Sequence, residues 1–316
     1  MRRSGNNCGR SLTAMKSDIF YWLMNMSIYG GVLVLIVLLL RQIPGIPRRF
    51  VYALWVIPFL RLVIPFGIRG KYNLMMLLEQ LGVRRVTVSV EVLENQPLSG
   101  DNFTGAAQTY FPVTYESNVL TQVFETAALV WAVMMAACVI TAGVLYVCTR
   151  WELRSAQCCK NYYISEKVTA PILDGVFKPR ILVPSHVPEG ALEHILAHER
   201  VHIRRMDNLW RCLGILVCCV HWFNPLCWLG LKYFLADMEL SCDEAVIHHM
   251  NSVQRKAYAT ALLDTAQQQT VFASAFGGAG VRLRIHRILS YKKLCAFSCV
   301  ALAVLFAVIV YVLTTN

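Results

Sequence analysis

Two imidazoles four residues apart, with a carboxylate beside the first, constrain this 316-residue chain more than any other feature. His198-Glu199-Arg200-Val201-His202 is an H-E-x-x-H. Residues i and i+4 of a helix share one face, so His198 and His202 can both reach one ion while Glu199 projects beside it as a general base. The approach to the motif reads as helical. Pro188-Glu189-Gly190 is a start signal, and Leu192, Ile195 and Leu196 form an apolar stripe that runs into His198. If these were two core histidines on an amphipathic helix, Glu199 would be buried without a partner, which is costly. The constellation is that of a zinc hydrolase binding one Zn2+ ion.

A catalytic zinc with two His ligands needs a third protein ligand and an open position for water. Glu239 is the candidate. Asp243 falls one turn later on the same face, where it can accept a hydrogen bond from the far nitrogen of a ligating His. The bland alternative is an acidic helix face made of Asp237, Glu239, Asp243 and Glu244.

The segment between these two halves is apolar over residues 209–236. If it crossed a membrane once, His202 and Glu239 would lie on opposite sides of a hydrocarbon core about 30 Å thick and could not share an ion. It must therefore go in and come back. Asn224-Pro225 breaks it near the middle, leaving two arms of roughly 18 to 20 Å each, too short to span. The sequence predicts a membrane-dipping helical hairpin at about 209–236, with His221 at its tip in a structural role.

Hydrophobic residues make up 56% of the chain and charged residues 16%, which is too apolar for an ordinary soluble domain. Four spans are expected. Residues 19–40 carry no charge and read as a retained anchor, residues 50–66 carry Arg61 as a snorkelling side chain, and residues 119–148 and 295–313 complete the set. Arg41, Arg48 and Arg49 follow the first span. Arg150, Arg154, Lys160 and Lys167 follow the third, and Arg282, Arg284, Arg287, Lys292 and Lys293 precede the last. All three groups fall on one side, which places residues 149–294 in the cytoplasm. The net charge of +11 is thereby explained as topology, and no basic run interleaved with aromatics resembles a nucleic-acid surface.

The expected division is an N-terminal tail at 1–18, two transmembrane helices within 19–66 and an extracellular loop at 67–118. A third span at 119–148, a cytoplasmic domain at 149–294 and a last span at 295–313 follow. None of the 12 cysteines falls in the outer loop, so disulfides are not expected to staple it. Four valines at 86, 88, 90 and 92 alternate as in a strand. In the cytoplasmic part, the run from Pro171 to Pro184 reads as two short strands joined near Asp174-Gly175. A strand edge beside a zinc helix is the usual way to hold an extended peptide, so a peptide substrate is favoured over a small molecule. His248, His249 and Tyr258 are candidates for an oxyanion donor.

The order of spans, the P-x-x-x-G-x-x-x-P-x-I-x-x-P run ending at Pro184, the H-E-x-x-H, His221-Trp-Phe-Asn-Pro225 and Met238-Glu-Leu-Ser-Cys-Asp243 together resemble the BlaR/MecR-type antirepressor family of integral-membrane zinc metallopeptidases. The resemblance covers nearly the whole chain and is densest over 168–250. It implies a multi-span α-helical membrane protein with a cytoplasmic α+β gluzincin-like zinc metallopeptidase domain, whose metal is held by His198, His202 and Glu239. It also implies the cleavage of a cytoplasmic DNA-binding repressor. Antibiotic-sensing members carry an extracellular penicillin-binding sensor domain after the last span, where this sequence stops, so beta-lactam sensing is not carried over. Ser290-Tyr-Lys-Lys293 has the S-x-x-K pattern, but with no S-D-N or K-T-G partner it is not an acylation site.

The expected partners are a cytoplasmic protein substrate, with a winged-helix repressor as the leading case, and membrane lipid. Direct nucleic-acid binding is not expected, and a homodimer is left open. Two other classes compete with this reading. One is a membrane-protein quality-control protease resembling the prenyl-protease and HtpX-like enzymes, and the other is a non-catalytic zinc-fold scaffold, against which an intact Glu199 argues.

Overall fold

A computed structural model describes residues 5–43, 46–64, 86–88, 113–115, 118–159, 161–266, 280–291, 304 and 307. Nearly all of the expected last span at 295–313 and most of the loop at 67–118 lie outside the described residues.

The apolar run near the N-terminus forms α1 (Gly5–Leu40), so the helix already begins within the segment expected to be a tail. The next apolar segment forms two short helices, α2 (Arg48–Leu54) and α3 (Val56–Val63), which meet at Trp55. The break has a local cause. Pro58 has no N–H to bond the carbonyl of Leu54, so the rod cannot continue straight through. A long helix α4 (Asn118–Glu152) follows. Among the described residues, Trp22–Leu40 and Glu125–Ser155 are long and apolar enough to cross a membrane. Nearly all of the second lies on the surface, with Leu129, Ile140 and Leu145 each more than 60% exposed, a face that lipid tolerates and water does not.

The valine-rich segment contributes β1 (Val86–Val88), paired in parallel with β2 (Val113–Tyr115). After α4 the chain builds a four-stranded sheet, ordered β3-β4-β6-β5, from β3 (Gln157–Cys159), β4 (Tyr162–Ser165), β5 (Ile172–Asp174) and β6 (Arg180–Pro184). The two strands expected between Pro171 and Pro184 are β5 and β6. They are antiparallel, with Asp174 opposite Arg180, and Gly175 turns the chain at φ 99°, a left-handed value that favours glycine.

The H-E-x-x-H lies on α5 (Glu189–Arg205), which begins at the expected Pro188 boundary. Met206 ends it at φ 55°, and α6 (Asp207–Val220) starts immediately in a new direction. The chain then turns at His221–Asn224 into α7 (Pro225–Ile247). The hairpin break is thus where Asn224-Pro225 predicted it. The Asn224 side chain caps α7 by accepting from the Leu226 N–H, and its amide donates to the carbonyl and hydroxyl of Ser27 on α1. His221 is fully buried and its Nε2 lies 2.9 Å from the Leu62 carbonyl, which bears out its structural role. Arg61 departs from expectation. It is 8% exposed, with its guanidinium 5.0 Å from the Tyr29 ring, so it packs inside the bundle rather than reaching for an interface.

The two arms pack against α1, α2 and α3 around a core of Leu33, Val37, Trp55, Cys218, Cys227 and Met238. Small residues permit the approach. A Cβ on Gly230 of α7 would lie 3.1 Å from Val34 of α1. One polar knot crosses this core. Asp237 of α7, fully buried, accepts both 2.9 and 3.0 Å bonds from Arg41 Nε, a 3.3 Å bond from Arg48 and a 3.0 Å bond from the Trp55 indole. Glu244, two turns on, accepts the backbone N–H groups of Arg48 and Arg49. The basic link between the first two apolar segments is therefore clasped by the helix that also carries Glu239. Asp237→Ala would leave the buried Arg48 guanidinium without its ion-pair partner. Removing one partner of a buried ion pair costs about 3–5 kcal/mol, so the thermal midpoint of the detergent-solubilised chain should fall sharply; an unchanged midpoint would show that the clasp adds nothing to stability.

Two helices complete the described fold, α8 (Ser252–Ala266) and α9 (Val281–Leu289). The start of α8 is fixed by reciprocal bonds between Asn251 and Gln254, each side chain accepting from the other's backbone N–H at 2.9 Å. Both helices pack back onto the zinc-motif region, α8 against α5 and α9 against α7.

Candidate metal centre and active site

Helices α5 and α7 lie against each other and bring the two halves of the sequence motif together. His198 and His202, 7% and 5% exposed, face each other with their Nε2 atoms 3.1 Å apart. Glu239 enters from α7 with one carboxylate oxygen 3.4 Å from His198 Nε2 and the other 3.7 Å from His202 Nε2. A tetrahedral ion with bonds of about 2.0–2.1 Å has ligand–ligand edges of about 3.4 Å. The nitrogen–nitrogen separation and the approach of a different carboxylate oxygen to each nitrogen all lie near that value, so two nitrogens and a carboxylate stand close enough to share a small divalent ion. The donor set fits zinc.

The rear nitrogens are both engaged, which orients the front ones. The Tyr258 phenol donates its single proton to Asp243 at 2.7 Å and so accepts from His198 Nδ1 at 2.8 Å. Asp243 itself lies 3.3 Å from that nitrogen. It therefore stands behind His198, in the position expected for a supporting carboxylate. His202 Nδ1 is held by Asp207 at 2.6 Å, and Asp207 in turn accepts from Tyr52 at 2.9 Å. Asp207 is fully buried. Sequence reading missed it, although it follows His202 by five residues, because it lies past the α5 terminus where the face-sharing rule no longer applies.

Two further residues join the cluster. Cys242 offers its sulfur within 4.8 Å of ligand atoms of both histidines, while its thiol lies 3.4 Å from the His198 carbonyl. Arg284, from α9, makes two 2.7 Å bonds to the two oxygens of Asp243, and one of those nitrogens, Nη2, lies 3.3 Å from His198 Nε2. Its other terminal nitrogen is 3.5 Å from Glu239. Nothing in the sequence distinguished Arg284 from Arg282 and Arg287, which share its short helix.

The charges are mutually dependent. Burial alone would raise the Glu239 carboxyl, but the two histidines and Arg284 hold it well below the usual carboxylate range. Burial likewise opposes ionisation of Asp243, and Arg284 with His198 brings it down to about 2. Burial pushes the Tyr258 phenol upward and Asp243 pushes it further, so it remains a proton donor. Burial would depress both imidazoles, yet Cys242, Asp243 and Glu239 raise His198, and Asp207, Cys242 and Glu239 raise His202. A metal entering here competes with protons for these nitrogens.

Glu199 is 8% exposed, and among the described residues its carboxylate has no hydrogen-bond or ion-pair partner. It follows His198 directly on α5, and the acids around the two imidazoles, Asp207, Glu239 and Asp243, are all engaged. The proposed oxyanion donors fare differently. Tyr258 lies behind His198 and is 1% exposed, so it faces the ligand's back and not the cleft. His248 bonds Tyr291 and, with His249, lines a separate cavity. Arg284 is the donor that reaches the front of the site. The β5 edge lies beside α5, as the peptide-holding argument requires, but it is three residues long and its Leu173 carbonyl is taken by Asn208.

An apolar helical bundle that carries an H-E-x-x-H helix against an acidic helix defines a membrane-associated metallopeptidase. The chain matches the family model described as BlaR1 peptidase M56 over residues 21–288, and it belongs to that family. It is 32% identical over 102 residues to the regulatory protein BlaR1 of Bacillus licheniformis, covering 31% of this chain and 17% of that protein. It is 26% identical over 103 residues to the methicillin resistance mecR1 protein of Staphylococcus aureus, covering 31% and 18%. A BlaR1 regulatory protein of Staphylococcus aureus is 25% identical over 145 residues, covering 42% and 25%. The chain thus spans between 17% and 25% of the length of these relatives. The resemblance carried by the sequence motifs is borne out at the level of the family.

Proposed function

We propose that the chain is a zinc metalloendopeptidase of signal transduction that hydrolyses a peptide bond in a cytoplasmic protein, with a transcriptional repressor as substrate. The observation that carries this reading is the meeting of His198, His202 and Glu239 at one point, with Glu199 the residue that follows His198 on the same helix. In it, His198, His202 and Glu239 hold one zinc ion, Asp207 and the Tyr258–Asp243 pair orient the imidazoles, and the domain is gluzincin-like. Zinc bound there would supply a Lewis acid that acidifies water and polarises the scissile carbonyl. Glu199 takes the proton from the attacking water and returns it to the leaving amine nitrogen. Arg284, fixed by Asp243, presents Nη2 towards the cleft and stabilises the carbonyl oxygen as its charge grows. A winged-helix repressor encoded beside this chain and expressed with it should be cut at a discrete bond, and cutting should stop when zinc is chelated. A repressor that stays whole while misfolded membrane proteins are degraded would replace signalling with quality control.

The same reading places four spans in the membrane and residues 149–294 in the cytoplasm. Support comes from the exposed apolar face of α4 and from the hairpin of α6 and α7, which returns the chain to the side it left. In a background with the exposed Cys148 and Cys158 changed to serine, Glu166→Cys and Asp264→Cys should each react with an impermeant thiol reagent in inside-out vesicles and not in intact cells. Labelling of either in intact cells would overturn the topology.

A further inference from the structure

Next to the metal cleft, but facing away from it, lies a cavity of about 430 Å³ between the start of α2, the end of α5 and one face of α7. Its α7 wall is Ser241, Glu244 and Ala245, with His248 just past the helix end, whereas Glu239 and Asp243 contact the imidazoles of α5. The lining is strongly cationic. It includes Arg49, Arg204 and Arg205 against one carboxylate, Glu244, whose two oxygens already accept the backbone N–H groups of Arg48 and Arg49.

The three guanidiniums differ in a way that suggests a built site. Arg205 is fixed: Nε lies 3.3 Å from Asp207, Nη1 donates to Ser241 at 3.2 Å, and the head stacks 4.4 Å from the Tyr52 ring. Its remaining nitrogen, Nη2, is buried and has no acceptor. A buried cationic N–H left without an acceptor is costly, so a ligand oxygen at that point would be bound strongly. Arg49 and Arg204 are exposed, and among the described residues their guanidiniums make no hydrogen bond or ion pair. Tyr52 and Tyr291 add aromatic surface to the same wall.

The position of the cavity in the chain narrows the ligand. Arg49 opens the second apolar segment, and Arg204 and Arg205 close α5 at the Met206 corner where the hairpin begins. All three charges lie where the chain enters its apolar layer, which is the level of lipid phosphates on the basic side of a bilayer. We propose that this cavity binds a phosphate group, that of an anionic phospholipid headgroup in the cytoplasmic leaflet, with Arg205 at its back and Arg49 and Arg204 at its mouth. The proposal rests on the membrane placement given above and not on the peptidase chemistry. Inorganic phosphate shares the recognised group but has no glycerol or acyl chain to lie against Tyr52 and Tyr291.

The test uses the full chain in a neutral detergent, titrated with dioctanoyl phosphatidylglycerol, dioctanoyl phosphatidylcholine or inorganic phosphate, with the thermal midpoint as readout. Phosphatidylglycerol should raise the midpoint saturably and phosphatidylcholine should not. The Arg49→Gln/Arg204→Gln double variant should bind phosphatidylglycerol about 30-fold more weakly, because two charges near a lipid surface are lost. If that variant folds poorly, the Arg49→Lys/Arg204→Lys pair keeps the charge and should retain most of the affinity. Phosphatidylglycerol binding that ignores both pairs overturns the proposal. Saturation by inorganic phosphate at the same concentrations, lost in the Gln pair, reassigns the site to a free anion and overturns the lipid assignment. Cleavage is not read here, so failure of the peptidase reading leaves this result standing, and the reverse holds as well.

Discussion

A Glu199→Gln chain is expected to hold its full complement of zinc and to lose nearly all cleavage. Glutamine keeps the shape of glutamate, and Glu199 stands beside the proposed ligands without being one of them. Because its carboxylate has no partner among the described residues, the exchange breaks no ion pair or hydrogen bond. Replacing the charge with a neutral amide on a residue only 8% exposed should leave the thermal midpoint unchanged or raise it. Turnover moves the other way. An amide cannot accept the proton of an attacking water at neutral pH, and loss of a positioned general base costs on the order of 10²- to 10⁴-fold. The opposed directions make the result diagnostic, since a damaged fold would lower midpoint, zinc and turnover together. Turnover by the zinc-loaded variant within about tenfold of the parent chain would remove Glu199 from the mechanism, and loss of zinc would make it a ligand.

The parts of this site that the sequence made legible are those set by short-range rules. The i, i+4 spacing placed His198 and His202 on one face, and the same rule put Glu239 and Asp243 together on another helix. The missing N–H of Pro225 located the hairpin break, and the need for both helices to share an ion dictated that the chain turn back. Arg284 obeyed no such rule. It lies 86 residues from His198, and its charge looked like one more basic residue flanking a span. Arg41 and Arg48 were hidden the same way. Counting them as topology was sound, but their pairing with Asp237 depends on packing between segments nearly 200 residues apart, which no window along the chain can see. Arg61 shows the converse limit. Snorkelling is the default for a cation within an apolar run, yet a tyrosine ring on the facing helix was near enough to keep it inside.

Metal content should separate three residues of α7 that all lie near the two imidazoles. Glu239→Ala is expected to lose most of the bound zinc, because its two oxygens face the two Nε2 atoms directly. Asp243→Ala should weaken zinc affinity or activity by about 10- to 100-fold, the usual effect of removing a carboxylate that orients a ligating histidine. It has a second consequence, since Asp243 anchors Arg284 with two 2.7 Å bonds while Arg284 Nη2 stands 3.3 Å from His198 Nε2. Freed of its anchor, that guanidinium can move onto Glu239, so the Asp243→Ala/Arg284→Ala pair should hold zinc better than Asp243→Ala alone. Cys242→Ser tests the thiol. Burial would raise the Cys242 thiol, but His198 and His202 bring it below its ordinary value, which suits a ligand, whereas the bond to the His198 carbonyl needs the protonated thiol. If the thiol is only a donor, serine keeps the bond and the zinc. An empty Cys242→Ser protein beside a Glu239→Ala protein with full zinc would transfer the third ligand from the carboxylate to the sulfur, leaving the H-E-x-x-H helix and its two imidazoles in place.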